Sequence, residues 1–130
     1  MVTDAVNIKD AFYVNIGVNF DIVVASGYNN DDVVTSCIVS LKDHFDISKW
    51  NINQPIVLSD IISILLQVKG VQSVSKFEFT NLSGGNYSPY SYDVAGAIRN
   101  NILYPSLDPS IFEIRFPNLD IQGRDRKSVV

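Results

Sequence analysis

Cysteine, histidine, methionine and tryptophan each occur once in these 130 residues, and charged side chains make up only 18% of them. A single cysteine, Cys37, excludes an intrachain disulfide and fits a reducing compartment. One histidine and one cysteine cannot assemble a typical zinc set, so no metal or other cofactor is expected. The low charge content and the ordinary numbers of glycine (seven) and proline (five) exclude a disordered or low-complexity chain. No apolar run nears the ~20 residues that cross a bilayer. The longest, over 61–68, is broken by Ser63 and Gln67. The opening MVTDAVNIKD has neither a basic start nor a continuous apolar stretch, and does not read as a signal peptide. The net charge of −4 argues against nucleic acid and anionic membrane as partners. The only basic cluster, Arg124, Arg126 and Lys127, is interrupted by Asp125 and reads as a solvated tail over 124–130.

What is present suits one domain spanning 1–130. Hydrophobic residues make up 46% of the chain, enough for a core at this length. Over 12–24, Val14, Ile16, Val18, Phe20, Ile22 and Val24 alternate with mostly polar residues, predicting a strand with one buried and one wet face. Gly17 within it marks a bulge or a close backbone approach. Asn29 or Asn30 caps a helix over 31–45, with Asp31 and Asp32 at the positive end of its dipole. Val34, Cys37, Ile38, Leu41 and Phe45 form its apolar stripe. Residues 46–57 read as a connector with a short extended piece at Ile56 and Val57. Trp50 in that connector either folds back onto the core or joins an interface. A second helix starts at Ser59, read as its cap, and ends before Gly70. Residues 71–79 read as a strand with Phe77 and Phe79 on one face and Lys76 and Glu78 on the other. Ile102 and Leu103 mark a short strand, and Phe112, Ile114 and Phe116 another, closed by Pro117. The expected fold class is α+β: a small mixed or antiparallel sheet with two helices packed on one face, plus a long irregular loop over 80–110.

Chemistry is sparse. His44 has no HxxxH or HExxH partner, and no GxSxG elbow occurs. Ser83-Gly84-Gly85-Asn86 lacks the phosphate-loop pattern and reads as a turn with positive φ. Asp93 and Asp120 have no partner in sequence, and calcium-loop spacing is absent. Cys37 lies in the helix stripe as a small buried hydrophobe. The unusual feature is the loop. Thirty residues with little regular structure are long for a connection in a compact domain. It carries Tyr87, Tyr90 and Tyr92, amphipathic aromatics of the kind enriched in interface cores. These either form an interface or cover the domain's own sheet. The interface candidates are Tyr87, Tyr90 and Tyr92, with Trp50 as the fourth.

Three segments carry a family resemblance. VNIGVNFDIVVASGYNNDDVVTSCIVSLKDHF (14–45) and IVLSDIISILLQVKGVQSVSKFEFTN (56–81), with Val68, Gly70, Val71 and Val74 at the strand entry, resemble the C-terminal region of baseplate J-like proteins of contractile-tailed phages. NNILYPSLDPSIFEIRFPNLDIQGR (100–124) resembles the end of the baseplate wedge subunit of T-even-type phages. The resemblance implies a structural protein without enzyme activity, a C-terminal part of a longer chain. It implies as partners a second copy of itself and other baseplate wedge proteins, in a virion assembled in the host cytoplasm. A two-fold dimer is the simplest association. The other readings of the sequence are a small-ligand or peptide-binding α+β module and, last, an enzyme.

Overall fold

The alternating segment forms β1 (Phe12–Val24), the longest strand of an α+β fold. The computed structural model describes residues 12–106 and 108–125. Arg126 and Lys127 of the basic cluster lie outside these. After β1 come α1 (Asn30–His44), β2 (Ile56–Val57), α2 (Leu58–Gln67), β3 (Val71–Leu82), β4 (Ile98–Arg99), β5 (Ile102–Leu103), β6 (Ser110–Glu113), α3 (Pro117–Asp120) and β7 (Ile121–Asp125).

Strand β1 is the centre of a four-stranded mixed sheet. Antiparallel β3 lies along one edge of it, from Asn15 opposite Leu82 to Val24 opposite Val71. Two short parallel strands share the other edge end to end. Strand β6 pairs with Phe12 to Asn15, and β7 pairs with Val18 to Ile22. Gly17 falls between the two, where the chain returns through α3. A Cβ there would stand 2.8 Å from Thr80 Oγ1 and 3.4 Å from the Asp120 carbonyl oxygen. Gly17 is therefore the close approach. The register shifts in β1–β3 pairing lie instead near Ser75 and Gln72.

The even-numbered side chains of β1 from Val14 to Ile22 are buried with Val33, Cys37 and Leu41 of α1 and Ile61 and Leu65 of α2 in one core. Cys37, Leu41 and Phe45 of the expected α1 stripe are buried, Val34 and Ile38 pack partly buried against the core, and Val33 joins them as a buried residue that was not expected. Asn29 Oδ1 accepts the Asp32 N–H at 3.1 Å, so Asn29 is the cap. In α2 the expected cap, Ser59, lies inside the first turn, and Val57 occupies the cap position without a side-chain bond. The helix grows directly out of β2, and the Leu58 N–H donates instead to the Asn101 carbonyl at 2.8 Å.

Three further expectations need correction. Strand β3 runs on to Leu82, because Asn15 to Gly17 of β1 supply it with partners. Within the 80–110 segment, the expected strand at Ile102 and Leu103 has a partner in Ile98 and Arg99 that was read as loop. Strands β4 and β5 form a hairpin and add to β2 as a second, three-stranded sheet. Asn100 and Asn101 turn that hairpin with φ of 53° and 63°, the pattern of a two-residue type I′ turn. Arg124 and Asp125, expected to begin a tail over 124–130, belong instead to a strand. This strand is β7, with Gly123 directly under the ring of Phe20.

Gly123→Ala should overpack that contact and cost about 1–3 kcal/mol. Leu41→Ala, in the fully buried stripe of α1, should cost about 2–5 kcal/mol. Urea unfolding checks both. Each should lower the midpoint and leave the slope unchanged.

Candidate functional site

The tyrosine loop lies against its own sheet and is held there by Asn15. This residue is fully buried on the odd-numbered face of β1, which sequence alternation marks as wet. Asn15 Nδ2 donates to Glu113 Oε1 at 2.7 Å, and Asn15 Oδ1 accepts the Ser88 N–H at 2.6 Å. Asn81 continues the clamp. Its Nδ2 donates to the Asn15 carbonyl, and its Oδ1 accepts the Tyr92 N–H, both at 3.1 Å. Gly84 and Gly85 turn the loop with φ of +80° and +59°, as expected of that turn.

Each of the three loop tyrosines has its hydroxyl engaged within the chain. Tyr87 donates to Asp120 Oδ1 at 2.8 Å and meets Phe116 edge-on. The second carboxylate oxygen, Asp120 Oδ2, is buried and has no hydrogen-bond partner among the described residues. The bond to Asp120, followed by burial, raises the Tyr87 pKa. Tyr90 stacks on Phe12 with ring centroids 4.7 Å apart, and its hydroxyl reaches Asp108 at 3.3 Å. Tyr92 donates to the Tyr104 carbonyl at 2.9 Å, and its pKa is raised chiefly by burial. All three are half-buried.

Trp50 takes the first of the two roles open to it. It is buried against the core, stacked on Phe45, and its indole N–H donates to the His44 carbonyl at 2.9 Å. Only 6% of it is exposed. His44 closes α1 and meets both Phe45 and Trp50 edge-on. Burial lowers its pKa against the opposing pull of Asp60. Cys37 is fully buried, and burial pushes its thiol up to about 11. No group of three or more His, Cys, Asp or Glu side chains stands in metal-binding proximity among the described residues. No described helix is long and apolar enough to cross a membrane.

Sequence reasoning missed the most organised polar site. Asn19 and Asp21 of β1, Lys76 and Glu78 of β3, and Gln122 and Arg124 of β7 line an open cleft of about 360 Å³ on the odd-numbered face. Arg124 grips Asp21 side-on, Nε to Oδ1 at 2.7 Å and Nη2 to Oδ2 at 3.2 Å. The Asp21 side chain is 8% exposed and that of Arg124 75%. This pair docks β7 onto β1, so Arg124 belongs to the sheet rather than to a basic tail. Lys76 and Glu78 stand 3.6 Å apart along β3. The charges of the cleft are thus matched within it. Polar positions on alternating strands were the available signal, but which of them meet depends on strand order.

Stability should be greatest between about pH 6.5 and 9. Below the ordinary His44 value of 6.5, the unfolded chain takes up a proton that the folded one resists, so stability falls with pH. Above the ordinary Cys37 value of 9.0, the unfolded chain loses a proton that the folded one keeps up to about 11, so stability falls as pH rises. Unfolding midpoints across pH check this. His44→Gln should flatten the acid limb, and Cys37→Ala should flatten part of the alkaline limb, where Tyr87 and Tyr92 act in the same direction. Tyr87→Phe removes the only hydroxyl donor to Asp120 among the described residues, and should speed amide exchange over 83–89 while the sheet stays protected.

No family model matches the chain, and no curated protein sequence matches it.

Proposed function

We propose that this chain is a structural assembly module of a phage contractile-tail baseplate, a wedge-subunit domain that joins subunits of the baseplate ring. One observation carries the reading. The three segments with baseplate-like sequence supply most of the central sheet and its helices: 14–45 contributes α1 and most of β1, 56–81 contributes α2 and most of β3, and 100–124 contributes β6 and most of β7, together with β5 of the second sheet. A resemblance scattered over unrelated surface turns would carry little. Here its parts depend on one another for a common core.

The disposition of reactive groups favours the same reading over a ligand-binding module. Cys37 and Trp50 are committed to the core, and the loop tyrosines to internal hydrogen bonds. The polar cleft is open, and its charges are already compensated by Asp21 with Arg124 and Lys76 with Glu78. A pocket built for a small charged ligand converges unmatched polar groups on an enclosed volume. The partners of the module are then further copies of itself and the other wedge proteins, met across a surface rather than in a pocket.

The test is quantitative mass spectrometry of purified tail particles from the phage that encodes this sequence. Peptides of this chain should appear in a fixed ratio to the other baseplate proteins. A chain abundant in infected cells but missing from the particles would overturn the reading.

A further inference from the structure

Strand β3 has β1 on one side and no strand on the other among the described residues. Twelve residues long, it presents a row of backbone groups of the kind that templates pairing with another strand. Natural edges of this length are usually blunted by bulges or by charges that repel a second copy. The register shifts near Gln72 and Ser75 bend the first half of β3, but from Lys76 to Leu82 its pairing with β1 is unbroken. In that regular stretch the charges do not repel a copy. Lys76 and Glu78 stand two residues apart with opposite sign, on the same face and half-exposed at 51% and 49%.

We propose that two copies of this chain pair β3 with β3, antiparallel about a two-fold axis at Phe77, so that Lys76 of each copy lies opposite Glu78 of the other. Lys76 to Glu78 of both copies, inside the regular stretch, form the centre of the pairing that joins the two sheets, and 79–82 of each copy run beside the bent half of the other. Charge selects this register. Centring the axis one residue earlier sets Lys76 against Lys76, and one residue later sets Glu78 against Glu78. Like charges directly opposite one another destabilise a strand pair, whereas opposite charges support it. With the axis at Phe77 both charged pairs are matched, and the two Phe77 rings face each other on the helix side of the sheet.

That side carries a groove of mixed character. The groove, of about 520 Å³ between α2 and β3, is lined by Ile62, Val74 and Phe77 together with Ser63, Ser75 and Lys76. Phe77 already lines this groove, so Phe77 of the second copy meets the groove's own wall. The interface is isologous and closes on itself, as a two-fold contact requires. The inference rests on the assembly reading for the nature of the partner, and adds the surface, the register and the residues.

The test is a charge exchange read by sedimentation equilibrium on the whole chain. The parent protein should dimerise. K76E alone sets carboxylate against carboxylate in both symmetric places, and E78K alone sets ammonium against ammonium. Each should weaken the dimer by about tenfold. Mixing the two variants should restore dimers, all of them mixed, because one copy then carries only negative charge at the two positions and its partner only positive. The intrachain Lys76–Glu78 pair stays broken in the mixture, so restoration reports the contact between copies. Circular dichroism should show both variants folded, since both positions are half-exposed.

Dimers equally strong in every single variant, or no restoration on mixing, would overturn the β3 surface while leaving the assembly reading to the particle measurement. A parent chain that stays monomeric at all concentrations would overturn the pairing itself. Presence of the chain in tail particles is independent of both results.

Discussion

A buried central strand has two backbone edges, and both must be hydrogen-bonded. In this protein that demand falls on β1, thirteen residues long. One neighbour, β3, satisfies the first edge almost alone. No single element satisfies the second. Strands β6 and β7 divide it, and the chain between them is forced out through α3 and back at Gly17. The C-terminal third of the chain is therefore not an appendage. Without Ile121 to Asp125, half of β1 would face the solvent with unpaired backbone, and Phe20 would lose the glycine surface beneath it.

The same constraint explains where the polar residues gather. A sheet covered by helices on one face has its other face free to be wet. Here that face is partly closed by chain that must cross it. The loop after β3 is anchored over Asn15, and Arg124 is drawn over Asp21. Buried polar groups such as Asn15 and Asp21 require partners, and both have them. The tyrosines follow from the crossing. A segment with few apolar residues lies flat on a sheet only if amphipathic rings cover the apolar part while their hydroxyls reach carbonyls and carboxylates at the rim.

The secondary elements with a strong local period are legible in the sequence alone. Strand β1, both long helices and the aromatic face of β3 follow from alternation and helical spacing, because each buries a stripe of its own side chains. The Asn29 cap, the positive-φ glycines at 84 and 85 and the buried Cys37 follow for equally local reasons. The misses share a different cause. Strand β7 has one apolar residue, Ile121, and owes its existence to β1. The last three residues of β3, Thr80, Asn81 and Leu82, carry no alternating pattern of their own and are strand because Asn15 to Gly17 pair with them. Trp50 was equally compatible with a core or an interface, and only the position of Phe45 and the His44 carbonyl decided it.

By itself, then, the sequence determined the α+β class, the two helices and the faces they bury, since these depend on side chains within a few residues of one another. Tertiary structure alone decided which polar residues are structural. Asn15 and Glu113, Asp21 and Arg124, and Tyr87 and Asp120 lie between 33 and 103 positions apart in the chain. No local pattern encodes such pairs, because they meet only after strand order has been set.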